Sequence, residues 1–184
     1  MGTFTAATAI PTGGLITSAW MSNTTNGINF LAAGGGATVA KDLCLMRSTA
    51  NQTSLTASTY TALTFNTEDF DAANGHSTTT NTSRYTAVAA GKYRISAAIY
   101  MAAGGTNATQ NIVFRLYKNG VAQTAHTYST PCATASLAGH YETPAFFISL
   151  AAGDYVELFV QPDWTAATAS ATVNSWMSVE WVGA

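Results

Sequence analysis

Three stretches of this chain alternate their side chains between two faces, and each is joined to a turn residue. No other feature constrains the fold as tightly. They read Ala89-Ala-Gly-Lys-Tyr-Arg-Ile-Ser-Ala-Ala-Ile-Tyr100, Phe114-Arg-Leu-Tyr-Lys-Asn-Gly120 and Leu150-Ala-Ala-Gly-Asp-Tyr-Val-Glu-Leu-Phe-Val160. In the first, Tyr93, Ile95, Ala97 and Ile99 fall on one side, with Arg94, Ser96 and Tyr100 on the other. In the third, Val156, Leu158 and Val160 oppose Tyr155, Glu157 and Phe159. A period of two marks strands, because successive Cβ atoms of a strand point to opposite faces. Asn119-Gly120 adds a tight-hairpin signal, since both central positions of a type I′ turn need positive φ. Val121–Ser129 is the expected returning partner.

The same reading extends along the chain from Lys41. Leu43 and Leu45 alternate with Cys44 and Met46, and Thr61, Leu63 and Phe65 share a face. Glu68 to Asn81 is polar, contains Gly75, and reads as a long connection. Tyr85 to Val88, Ile112 to Lys118, Tyr141 to Leu150, Asp154 to Gln161 and Ser175 to Val182 complete the set. Thr165 to Thr172 is small and biased in composition, and fits either a loop or a strand of small side chains. About eight or more strands with Gly-rich turns and no helical stretch between them predict an all-β sandwich or jelly roll. The head domain is expected to span 41–184. Residues 1–40 stand apart: they hold no Asp, Glu, Lys or Arg, and glycine pairs and triplets punctuate them. Ile16, Trp20, Ile28 and Leu31 recur at near-helical spacing, so either a short helix over 15–32 or an extended arm accommodates this segment.

Composition narrows the function classes. Apolar residues make up 47% of the 184 and charged residues only 9%, against roughly a quarter in typical soluble domains. A surface so poor in charge is expected to be covered partly by other protein. The net charge of −2 has no block of one sign, so neither nucleic acid nor an anionic membrane is an expected partner. Thr, Ser, Asn and Gly interrupt every apolar run near the start, which argues against a membrane span or a secretory signal. Cys44 and Cys132 are the only cysteines and are expected as free thiols. The sequons starting at Asn23, Asn51, Asn81 and Asn107 are expected by chance in so Thr-rich a chain.

The ordered motifs Leu63-Thr-Phe-Asn-Thr-Glu-Asp-Phe-Asp71, Ser83-Arg-Tyr85, Ala90-Gly-Lys-Tyr93, Leu116-Tyr-Lys-Asn-Gly120, Ala152-Gly-Asp-Tyr-Val-Glu-Leu158 and Trp176-Met-Ser-Val-Glu-Trp181 resemble the C1q/TNF-like jelly-roll superfamily over residues 42 to 183. The wording around Asn66 to Asp71 and the Thr/Ala-rich framework are similar to the versions carried by tailed bacteriophages. That resemblance implies a trimeric, non-enzymatic jelly roll of the kind found in head decoration proteins, head fibres and tail-fibre tips, with no cofactor. No collagen-like Gly-X-Y stalk accompanies it.

Enzyme motifs are not found in the sequence: there is no Gly-x-Ser-x-Gly elbow, phosphate loop or His-Glu-x-x-His. His126, Cys132 and His140 match no common zinc spacing. Glu68, Asp69 and Asp71 offer oxygen ligands suited to calcium, or else form a solvated loop or partner Arg84 and Lys92. Aromatic residues on both strand faces point to subunit contacts, with Tyr100, Tyr117, Tyr155, Phe159, Trp176 and Trp181 the candidate trimer interface. Alternation leaves open which face is inner. Ile16, Trp20, Ile28, Phe30 and Leu31 are the candidate virion-anchoring residues, because an uncharged arm docks on another protein without desolvating charge. The expected function is a trimeric phage virion protein, made in the host cytoplasm and displayed on the particle, with capsid or tail proteins as partners. The alternative is a receptor- or glycan-binding adhesin tip whose loops Asp71–Ser83 and Gln161–Ala171 carry specificity. Trp164 would then serve as the sugar-stacking platform.

Overall fold

The computed structural model describes residues 42–102, 109–133, 139–164, 167–170 and 175–183. The expected helix over 15–32, the arm 1–40 and the anchoring candidates lie outside the described residues. The described strands belong to one compact unit, Ala40–Ala184. In chain order they are β1 (Leu43–Arg47), β2 (Gln52–Leu55), β3 (Thr61–Ala62), β4 (Thr67–Asp71), β5 (Arg84–Thr86), β6 (Gly91–Ala102), β7 (Thr109–Lys118), β8 (Val121–Ala133), β9 (Gly139–Glu142), β10 (Phe146–Leu150), β11 (Tyr155–Pro162), β12 (Ala167–Ser170) and β13 (Trp176–Gly183). Among the described residues there is no helix.

The strands form an eight-stranded sheet and a five-stranded sheet. In the larger one β6 is the spine. One of its edges pairs with β13 and then β12, and its other edge with β10 and then β9, all antiparallel. The sheet continues outward from β13 through β1 to β4. In the smaller one β11 joins β3, β5 and β7, and β7 carries β8 through the predicted hairpin. Asn119 (φ 50°) and Gly120 (φ 76°) both sit in the left-handed region there, as the tight turn requires.

Alternation explains how the sheets stack. Cys44 and Met46 of β1, Tyr93, Ile95, Ala97, Ile99 and Met101 of β6, and Met177 and Val179 of β13 face inward. They meet Ile112, Phe114 and Leu116 of β7 and Val156, Leu158 and Val160 of β11 in a single apolar cluster. Of the two faces that alternation leaves open on β6 and β11, the one bearing Tyr93, Ile95, Ala97, Ile99, Val156, Leu158 and Val160 is the buried one.

Two local readings are corrected, and one left open by the sequence is decided. Thr67–Asp71 is strand β4 rather than part of a loop. It pairs with β1 at the sheet edge, where charged side chains are tolerated because one flank meets water. Tyr141–Leu150 is two strands, because Pro144 carries no N–H for the ladder. Thr143 bridges the gap by donating its N–H to the Ala97 carbonyl (2.9 Å) and accepting the Ala97 N–H on Oγ1 (3.0 Å). The small-residue stretch near Ala167 is resolved in favour of a strand, paired to both β2 and β6.

Candidate functional site

A buried polar knot ties the beginning of β1 to the β5–β6 turn. Asp42, 1% exposed, accepts on Oδ2 from the Val88 N–H (2.9 Å), the Ala89 N–H (3.2 Å) and the Tyr93 hydroxyl. That hydroxyl also lies 2.6 Å from the Ala89 carbonyl. Burial first, then the hydrogen bond to Asp42 and its charge, push the Tyr93 phenol above its ordinary range. The Asp42 carbonyl accepts from the Trp181 N–H at 2.7 Å, so the knot reaches β13. Trp181 itself packs partly buried against the core, and its Nε1 donates to the Ala90 carbonyl (3.2 Å). Gly91 is required beneath that ring, because an added Cβ would fall 2.1 Å from Trp181 Nε1.

The acidic loop forms a second knot. Glu68 Oε1 lies 2.7 Å from Nδ1 of His76, whose other ring nitrogen faces the Thr82 carbonyl at 3.1 Å. Asp71 accepts the Ala73 and His76 N–H groups, and Asp69 pairs with Arg47 at 2.6 Å. The three carboxylates are therefore satisfied within the chain, by Arg47, His76 and backbone rather than by Arg84 and Lys92. Among the described residues no group of three or more His, Cys, Asp or Glu is arranged around a common point. His126 donates from Nε2 to the Phe147 carbonyl (2.8 Å), while His140 packs edge-on against Tyr100 at 4.9 Å. Cys44 is free and buried, and burial together with the Asp71 and Glu68 charges pushes its thiol far up.

The six aromatic interface candidates do not share one surface. Tyr117, Tyr155 and Phe159 lie on the outer face of the five-stranded sheet, already occupied by one another and by cations. Tyr117 and Phe159 stack at 3.8 Å, Tyr60 meets Tyr117 at 6.4 Å, and Arg115 covers Tyr60 at 4.2 Å. Arg84 covers Tyr155 at 4.1 Å. Tyr100 and Trp176 are half-buried on the outer face of the eight-stranded sheet, while Trp181 turns toward the core. Trp164 is 6% exposed and belongs to the core cluster, so its ring faces are not presented to a sugar.

That outer face of the eight-stranded sheet gathers the apolar surface that the sequence left scattered. Of the six exposed large apolar side chains among the described residues, Leu43, Phe70, Phe147 and Val182 lie on its strands or at its β4 edge. The pairing runs Leu43 to Glu180 to Arg94 to Phe147 straight across four strands. At its centre Arg94 and Glu180 neutralise each other at 2.6 Å. A second row runs from Phe70 at the β4 edge through Leu45 and Ser178 to Ser96. Ala98, between Trp176 and Glu142, is already buried. Phe147, 60% exposed, is not among the six interface candidates, because it neighbours an inward phenylalanine, Phe146, and parity alone does not say which of the two is out.

No protein-family model matches the sequence, and no curated protein matches it. Solved structures share its architecture. The murine APRIL structure at pH 5.0 superposes with a TM-score of 0.51 at 10% identity, covering 77% of this chain and 99% of that one. The globular domain of zebrafish complement 1qA gives 0.50 at 17% identity, covering 77% and 98%. Eiger TNF from S. frugiperda gives 0.53 at 13% identity, covering 78% and 94%. Identities this low establish the fold alone: an all-β sandwich of the TNF/C1q jelly-roll kind.

Proposed function

We propose that this chain is a non-enzymatic structural module that associates with copies of itself as a trimer, through the outer face of the eight-stranded sheet. On this reading it serves on a bacteriophage particle as a surface decoration or fibre-type protein, held to the virion by residues 1–40. The observation that carries the self-association is the apolar face bearing Leu43, Phe70, Phe147 and Val182 around the neutralised Arg94–Glu180 pair. Large apolar side chains gathered on one exposed sheet face mark an association surface, and the paired charges between them leave no net charge to desolvate. Tyr100, with His140 packed against it, and Trp176 extend the patch, whereas Tyr117, Tyr155 and Phe159 lie on the other sheet. The phage setting is supported by the sequence resemblance around Asn66 to Asp71, and the anchoring role by a segment with no charge to desolvate.

The test is the solution mass of the full chain by light scattering or native mass spectrometry. A mass three times the 19.1 kDa of the chain is expected. Phe147→Glu and Leu43→Glu should each shift it toward monomer while leaving the circular dichroism spectrum unchanged. A wild-type chain that stays monomeric at high micromolar concentration refutes the self-association. Deleting residues 2–36 should leave the mass multiple unchanged but abolish incorporation into particles. Normal incorporation of that truncated protein refutes the anchoring role.

A further inference from the structure

We infer that an open groove of about 340 Å³ beside the 72–83 loop is a binding site for a neutral saccharide. Its walls are the side chains of Asn74, Ser77, Thr80 and Asn81 on one side and Arg84 with Tyr155 on the other. The volume falls at the lower end of the roughly 300–1,000 Å³ typical of small-ligand pockets.

The groove is held in shape before any ligand arrives. His76, its side chain fully buried, pins the loop from beneath through Glu68 and the Thr82 carbonyl. Gly75 closes the loop against the core, since a Cβ there would lie 2.6 Å from both the Tyr85 ring and the Thr86 carbonyl. Thr86 donates its N–H to the Gly75 carbonyl at 2.7 Å. Asn74 (φ 55°) and Asn81 (φ 51°) occupy left-handed positions. Their side-chain amides have no hydrogen-bond partner among the described residues, and both residues are exposed. Opposite them, Arg84 donates from Nε to Glu157 (3.1 Å) and places its guanidinium carbon 4.1 Å from the centre of the Tyr155 ring. A preorganised site binds with less ordering cost than a loose one.

The charge pattern selects the ligand class. Arg84 is offset by Glu157, itself 6% exposed and further held by the Ser83 hydroxyl at 2.6 Å. Both Asp71 oxygens are taken by loop N–H groups. Neither an anion nor a cation therefore finds an uncompensated partner. What remains is two free amides and the Thr80 hydroxyl, groups that donate and accept side by side, next to the Arg84–Tyr155 pair. Vicinal sugar hydroxyls need that combination of adjacent donors and acceptors. The ligand site is independent of the assembly reading, because the groove is remote in residue composition from the apolar face and either can fail alone.

The test uses the full chain and saturation-transfer difference NMR with the methyl glycosides of glucose, galactose, mannose and N-acetylglucosamine, and 3′-sialyllactose as the acidic probe. At least one neutral glycoside is expected to receive saturation, with Kd on the order of 1 mM. Asn74→Gly combined with Asn81→Gly keeps the left-handed backbone while deleting both amides, and should weaken binding by roughly tenfold at an unchanged melting temperature. Thr80→Ala, at an exposed position, reads the same contact should the glycine variant lose stability. Absence of transfer from every neutral glycoside overturns the assignment. So does equal binding by the loop variants, or binding of sialyllactose alone.

Discussion

Removing the Asp42 carboxylate is the sharpest test of how the sandwich is fastened. Its Oδ2 receives two backbone N–H groups and the Tyr93 hydroxyl, with the carboxylate 1% exposed. In Asp42→Ala the hydroxyl can turn wholly to the Ala89 carbonyl, 2.6 Å away, but the Val88 and Ala89 N–H groups lose their acceptor. A buried donor left unmade costs about 1–3 kcal/mol. Val88 is exposed at its side chain, so water can reach one of the two, and the expected loss is about 2–4 kcal/mol. Against a total of about 5–15 kcal/mol this is a large fraction. Asp42→Asn retains one acceptor oxygen and should cost about 1 kcal/mol. Tyr93→Phe should cost a similar amount, and the Asp42→Ala/Tyr93→Phe cycle should show a coupling of about 1 kcal/mol. The assay is urea unfolding of the full chain followed by tryptophan fluorescence, at one fixed protein concentration so that association does not shift the midpoint. If Asp42→Ala unfolds at the wild-type midpoint, or the two substitutions add within about 0.5 kcal/mol, the knot does not hold the sheet as argued.

Other outcomes follow from the same geometry. Asp154, held by Lys118, Asn119 and the Ala151 N–H, has its carboxyl lowered from 3.8 to about 2. A depressed folded-state pKa gives stability that is present above the unfolded value and lost as pH falls. The difference between wild type and Asp154→Asn should therefore persist from neutral pH to about 4 and vanish near pH 2, read by thermal melts. Gly91→Ala would drive a methyl into the Trp181 indole and should cost about 1–3 kcal/mol, with loss of the Trp181 near-ultraviolet signature. Gly75→Ala, blocked by the Tyr85 ring, should cost a comparable amount in the same melts. Cys44, buried with its thiol pushed far up, should resist iodoacetamide in the native chain and react once urea unfolds it, as peptide mass spectrometry would show.

The sheet content was legible because β6, β7 and β11 carry unbroken alternation, and the hairpin because Asn119-Gly120 tolerates positive φ at both positions. What alternation could not supply is closure by parts distant in sequence. Glu157 sits at an outward parity, yet Ser83 and Arg84 fold over it and leave it 6% exposed. Trp164, just past the end of β11, returns to the core instead of crowning a loop. Thr-Glu-Asp-Phe-Asp reads as a connection by strand propensity, which ranks Asp and Glu low, but β1 offers it a paired edge. The apolar face was only half visible. Trp176 and Tyr100 were singled out, while Leu43, Phe70, Phe147 and Val182 emerged only when β1, β4, β10 and β13 were set side by side.

The position of β13 has a consequence for how this molecule is made. It lies between β1 and β6, in the interior of the larger sheet, although it is the last described strand. Until the ribosome has delivered Trp176–Gly183, β1 with β4 and β6 with β9 and β10 are two separate half-sheets, each offering an unpaired edge. Such edges recruit wrong partners, and on a polysome the nearest wrong partner is a sibling chain. Pairing of β13 thus acts as the closing stitch: a nascent chain halted before Trp176 is expected to be sticky, and one in which Trp176–Gly183 has paired to be committed.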